Sequence, residues 1–165
     1  MLVRPALELD EPELARIDLA TWTTATSPAP RPPQDREYRF FGQHTQLRDV
    51  LVAEVDDHPV GYVKLRPPTL LPSHGHVLQI GGIAVDPHRQ RQGAGRDLVE
   101  AAVQEASQQG GRKLTLRVLG TNVAAQQLYT LCGFVVEGVL RQEYYLDGSY
   151  VDDIFMARYL VAAVP

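Results

Sequence analysis

The stretch Ile83-Ala84-Val85-Asp86-Pro87-His88-Arg89-Gln90-Arg91-Gln92-Gly93-Ala94-Gly95-Arg96 runs from an apolar segment, through a proline stop, into two glycines two residues apart. Upstream, residues 77–85 read as a strand, and Pro87 lacks the N–H that would extend its pairing. Downstream, Leu98, Val99, Ala102, Val103 and Ala106 share one face at helical spacing, so a helix covers 93–109 and ends at Gly110-Gly111. A strand thus gives way to a helix with a glycine-rich start. The first N–H groups of a helix have no internal partner and lie at the positive end of its dipole. Glycines remove the Cβ atoms that would hold a phosphate away from those donors, and Arg89, Arg91 and Arg96 add charge. A diphosphate suits such a corner.

Two common diphosphate ligands fit poorly. A dinucleotide loop needs a third glycine where this chain has Leu98, and an ATP loop needs Gly-Lys-Ser/Thr, which is absent. Taken alone, the pattern reads equally well as a tight strand-to-helix turn that binds nothing.

Working outward, residues 2–7 form a strand candidate. Asp10-Glu11-Pro12-Glu13 looks like a helix start, with the helix running to about Thr23. Residues 27–33 are rich in proline and read as a loop, and a second helix is expected over 34–47. Residues 50–55 and 60–65 flank a turn at Asp56-Asp57-His58-Pro59 and form a hairpin. Beyond the glycine stretch, Leu114, Leu116 and Val118 alternate with polar neighbours as a strand does. A helix follows over 122–132, and strands at 134–145 and 150–159 are joined by Asp147-Gly148. The order β-α-α-β-β-β-α-β-α-β-β implies an α/β fold: one mixed, mostly antiparallel sheet flanked by helices, in a single domain over 1–165.

Composition narrows the function. With 16 Lys and Arg against 20 Asp and Glu, the net charge of −4 argues against a nucleic-acid partner, so any anion site must be local. The single cysteine, Cys132, excludes an internal disulfide and leaves no zinc spacing, so no metal is expected. No apolar run suits a signal peptide or a membrane span, and a cytoplasmic location with no membrane partner is the expectation.

Gln90-x-x-Gly93-x-Gly95, preceded by Ile83-Ala84-Val85-Asp86-Pro87, resembles motif A of the GCN5-related N-acetyltransferase (GNAT) superfamily. Asn122-x-x-Ala125-x-x-Leu128-Tyr129-x-x-x-Gly133-Phe134 resembles its motif B. Motif A then covers about 77–109 and motif B about 114–140. The resemblance implies the acyl-CoA N-acyltransferase fold, acetyl-CoA as co-substrate, and transfer of acetyl to a primary amine by direct attack in a ternary complex. The acceptor would be a small molecule, a polyamine or a protein N-terminus. A non-catalytic CoA-binding or regulatory module, and a nucleotide-phosphate binder, are the alternatives.

The resemblance also implies roles. Main chain at Ile83, Ala84 and Val85 would bind the pantetheine arm. Gln90, Arg91, Gln92, Gly93, Ala94, Gly95 and Arg96 would wrap the pyrophosphate, and Asn122 would either cap its helix or touch the cofactor. Tyr129 would serve as general acid to the departing thiolate and lie against the cofactor. Many members carry a glutamate base on the strand before motif A. Here Val77-Leu78-Gln79-Ile80-Gly81-Gly82 has none, so His76 is a candidate base, with Glu143, Asp152 and Asp153 as rivals. Tyr144, Tyr145 and Tyr150 mark the last hairpin as a candidate acceptor wall or homodimer face, and Trp22 with loop 27–33 as an acceptor-side flap.

Overall fold

A computed structural model describes residues 1–33 and 38–160. Seven strands form one sheet: β1 (Leu2–Pro5), β2 (Val50–Val55), β3 (His58–Arg66), β4 (Val77–Val85), β5 (Lys113–Leu119), β6 (Val135–Leu146) and β7 (Ser149–Tyr159). Their spatial order is β1-β2-β3-β4-β5-β7-β6. Five pairings are antiparallel; only β4 and β5 run parallel. A parallel pair needs a crossover, and helix α2 (Ala94–Gln108) supplies it. Helix α1 (Glu11–Thr21) lies on the opposite face, and α3 (Val123–Leu131) follows β5.

Alternation along the strands builds two cores. Val63, Leu78, Ile80, Leu114, Leu116 and Met156 pack beneath α2 with Leu98, Val99 and Ala102. On the other face, Val50, Val52, Tyr62 and Ala84 meet Leu14 and Ile17 of α1 and the ring of Phe40. Asp10 fixes the start of α1. Burial acts to raise its carboxyl, but the Arg4 guanidinium and the Leu7 N–H outweigh that and hold it below the usual range.

The second helix expected over 34–47 does not form in the part that is described; residues 34–37 lie outside it. Residues 38–46 are irregular, with bends at 40–44, and are followed by a single 3-10 turn at Leu47–Asp49. Aromatic residues, Gly42 and Thr45 are weak helix formers, and a stronger tertiary offer wins. The Glu11 carboxylate accepts the N–H groups of Phe40 (2.7 Å) and Phe41 (2.9 Å), and Phe40 packs edge-on against Tyr62 at 4.6 Å. The described order therefore has one α-helix between β1 and β2.

Candidate functional site

Strands β4 and β5 pair only from Val77↔Lys113 to Ile80↔Leu116. Beyond Ile80 they part. β5 continues beside β7, with Arg117 opposite Phe155 and Leu119 opposite Asp153, while β4 continues beside β3. Residues 81–85 of β4 thus keep one main-chain edge open inside the sheet. Gly81 is the extra residue of a bulge here, since Ile80 faces Leu65 and Gly82 faces Lys64. Ile83 and Val85 still pack into the α2 core, and Ala84 packs into the α1 core. Their side chains hold the strand while an edge of its backbone stays free.

The open end of this V meets the start of α2. Gly93 caps the helix at φ +96°, a left-handed conformation that suits glycine, and no atom lies within 4 Å of where its Cβ would stand. Arg91 is also left-handed at φ 61°, so the loop coils tightly. The Gln90 amide donates to the Val85 carbonyl at 3.2 Å. Among the described residues, the main-chain N–H groups of 91–96 find no acceptor, and Arg89, Arg91 and Arg96 make no ion pair. Asp97 is the single acidic residue in the first turn. Six unsatisfied donors, a glycine-opened surface and three free guanidinium groups fit a diphosphate.

Asp86 anchors the end of β4. Burial acts to raise its carboxyl; the Arg16 guanidinium from α1 and the His88 N–H (2.8 Å) outweigh it and keep the group ionised below the usual range. The chain therefore enters the loop from a fixed point.

Tyr129 lies on α3, 5% exposed, with its ring 5.9 Å from Phe134. Its hydroxyl bonds to no group among the described residues, yet it is not sealed from solvent. Burial, and to a lesser extent Cys132, raises the phenol above its ordinary value, so at neutral pH it is a donor. Asn122 caps α3, its Oδ1 accepting the Ala125 N–H at 3.2 Å, and its amide nitrogen makes no bond among the described residues. Cys132 is buried, and burial pushes its thiol up, which suits packing rather than nucleophilic attack.

His76 is not brought to this end of the sheet. It is exposed and precedes the paired part of β4, four residues before Ile80, roughly 13 Å at a strand's rise. Asp153 is 2% exposed and engaged by Arg117 (2.6 Å), which also donates to the Tyr144 hydroxyl (3.1 Å) and stacks over Phe155. Asp152 is taken by Arg141 (2.6 Å) and the Gln142 N–H, and Glu143 is exposed. Tyr145 and Tyr150 stack at 5.0 Å near the hairpin tip.

On the α1 face, Thr24 donates to Asp147 at the β6–β7 turn, so the segment after α1 reaches across to the last hairpin. Trp22 in this segment bonds to the Ala29 carbonyl at 3.2 Å. The sequence reading missed what lies beneath. Asp18 accepts hydrogen bonds from the Tyr38 and Tyr62 hydroxyls, and Lys64 extends over the rings of Phe40 (4.2 Å) and Tyr62 (5.1 Å). A signal existed for Asp18, which lies four residues after Leu14 on the buried stripe of α1.

A family model described as the acetyltransferase (GNAT) family matches residues 13–134. The chain belongs to that family. The [ribosomal protein bS18]-alanine N-acetyltransferase of Escherichia coli (strain K12) is 46% identical over 77 residues, 46% of this chain and 51% of that protein. The chain thus spans about half the length of the curated relatives it matches. The crystal structure of smu.2055 from Streptococcus mutans UA159 superposes with a TM-score of 0.84 at 28% identity, covering 98% of this chain and 100% of that one. A GNAT superfamily phosphinothricin acetyltransferase from Sinorhizobium meliloti, solved in complex with AcCoA, shares the fold at TM-score 0.80 and 19% identity, covering 99% and 92% of the two chains.

Proposed function

We propose that this GNAT protein moves an acetyl group from acetyl-CoA to a primary amine by direct attack in a ternary complex. The observation that carries the reading is the parting of β4 from β5 beside a loop of unsatisfied N–H groups: an open strand edge for an amide-bearing arm, continuous with a cradle for its diphosphate. Acetyl-CoA supplies an activated thioester carbonyl. Residues 91–96, with Arg89, hold the diphosphate, residues 83–85 offer main chain to the arm, and the free amide of Asn122 is available to it.

Tyr129 acts at the leaving sulfur. A phenol raised above its ordinary value of about 10 is a weaker acid than a thiol at about 8.5. Its contribution is therefore a hydrogen bond to the charge developing on sulfur rather than complete proton transfer. β4 carries no carboxylate, so the amine sheds its proton to water in the gap. That same absence is the one observation favouring a second reading, a CoA-binding module without turnover. Thiol release with a panel of polyamines, amino acids and N-terminal peptides, run beside calorimetric CoA titration, separates the two. Binding with amine-dependent release supports transfer, binding without release supports the module, and retention of ATP or NAD in place of CoA contradicts both.

A further inference from the structure

A cavity of about 190 Å³ opens on the α1 face at the Gly81 bulge, one residue past the last β4–β5 pair. Lys64, Arg66, His44, Thr45 and Asp49 line it together with Gly81. Its volume is below the ~300–1,000 Å³ of sites for drug-sized ligands, which suits a small polar group and not a nucleotide.

Lysine and arginine side chains meet at this cavity. The Lys64 ammonium makes no ion pair or hydrogen bond among the described residues and rests only on the ring faces of Phe40 and Tyr62. Lys64 lines the cavity and is only partly buried. Among the described residues, Arg66 and His44 have no ion pair either. Of the described carboxylates nearby, Asp49 lies 3.7 Å from Arg48, and Asp18 on α1 accepts from two tyrosine hydroxyls while its charge also acts on Lys64. Burial lowers the Lys64 ammonium from its ordinary value, Asp18 opposes this, and Arg66 adds to it. Two basic side chains with no carboxylate in hydrogen-bond contact among the described residues thus meet at one small cavity in a chain whose net charge is −4. A partly buried ammonium persists most readily where an anion comes to meet it.

Because this pocket adjoins the point where the sheet parts, we propose that the acceptor is a primary amine that also carries a carboxylate, and that Lys64, aided by Arg66, binds that carboxylate in the cavity. Its place in catalysis rests on the acyl-transfer reading; the anion site itself does not. Peptide N-termini, whose first residue continues as a neutral amide, fit the pocket less well.

The test uses matched pairs: α- and ω-amino acids of increasing length, each beside its primary amide, with wild type, Lys64→Met, Lys64→Arg and Arg66→Gln. For at least one length the acid is expected to exceed its amide in kcat/KM by about tenfold or more, as for a charge-assisted hydrogen bond. Lys64→Met should erase that preference by raising KM for the acid more than for its amide, Lys64→Arg should retain part of it, and Arg66→Gln, at an exposed position, should weaken it. An amide equal to or better than its acid at every length, or a preference that survives Lys64→Met, overturns the proposal. If no amine is acetylated, acyl transfer has failed, and an NMR titration with the N-acetyl amino acids decides the anion site. Shifts at Gly81 and Leu65 that vanish in Lys64→Met support it, and their absence in wild type overturns it.

Discussion

The two faces of the central sheet bind by different means. On the α2 side, the larger part of what is offered to a ligand is main chain, an open strand edge at 81–85 and the N–H groups of 91–96, with the side chains of three arginines, Asn122 and Tyr129 added to it. On the α1 side, the polar groups are side chains drawn from distant segments, with Asp18, Tyr38, Tyr62 and Lys64 meeting from α1, the bend region and β3. A main-chain site depends on backbone conformation, so it should fail when a glycine or an anchor is changed. A side-chain site should fail when a charge is deleted. Substitutions on the two faces can break or sharpen that contrast.

The largest effect is expected at Gly93. Gly93→Glu places a side chain in a left-handed conformation and a carboxylate against phosphate, and should abolish measurable CoA binding by calorimetry while a thermal melt still reports a folded protein. Tyr129→Phe comes next. Turnover should fall about 10²-fold with CoA affinity within about twofold, since one donor to developing charge is lost. Unchanged turnover at neutral pH removes Tyr129 from the chemistry.

Arg16→Ala should cost about 1–2 kcal/mol in urea unfolding, less than a fully buried pair because Arg16 is itself half exposed. It should also loosen the loop that Asp86 anchors and weaken CoA binding several-fold. This pair carries a pH signature. The native Asp86 carboxyl titrates below its unfolded value of about 3.9, so its stabilisation is complete above that pH and is lost as pH falls through the native value. Arg16→Ala should flatten this acid limb. The smallest effect is expected at Asn122→Ala, about 1 kcal/mol for the lost cap, seen as a drop in Tm of about 2–4 °C.

The same contrast explains what could be read from the chain. The strand at 77–85, the helix behind it and the closing hairpin follow from local periodicity, proline stops and glycine pairs, and their observed limits differ by a residue or two. The Asp56-Asp57 turn was legible as a turn; that both residues are left-handed was not. The region 38–47 was misread because its conformation is set by Glu11, some 30 residues away, and by the docking of Phe40. The glycine loop was visible because a main-chain site is written in the residues that permit its backbone. Lys64 and Asp18 could not be read as neighbours because, although Asp18 lies on the buried stripe of α1, only folding brings it to the Tyr62 ring on which Lys64 rests. His76 drew notice by residue type, and strand direction sets it at the far end of β4.

Backbone NMR during titration with acetyl-CoA tests the main-chain site most directly. The amides of residues 83–85 and 91–96, Gly93 and Gly95 foremost, should show the largest shifts, and those of β1, β2 and the β6–β7 turn the smallest. Shifts concentrated elsewhere, or saturation with residues 91–96 unmoved, would contradict the account.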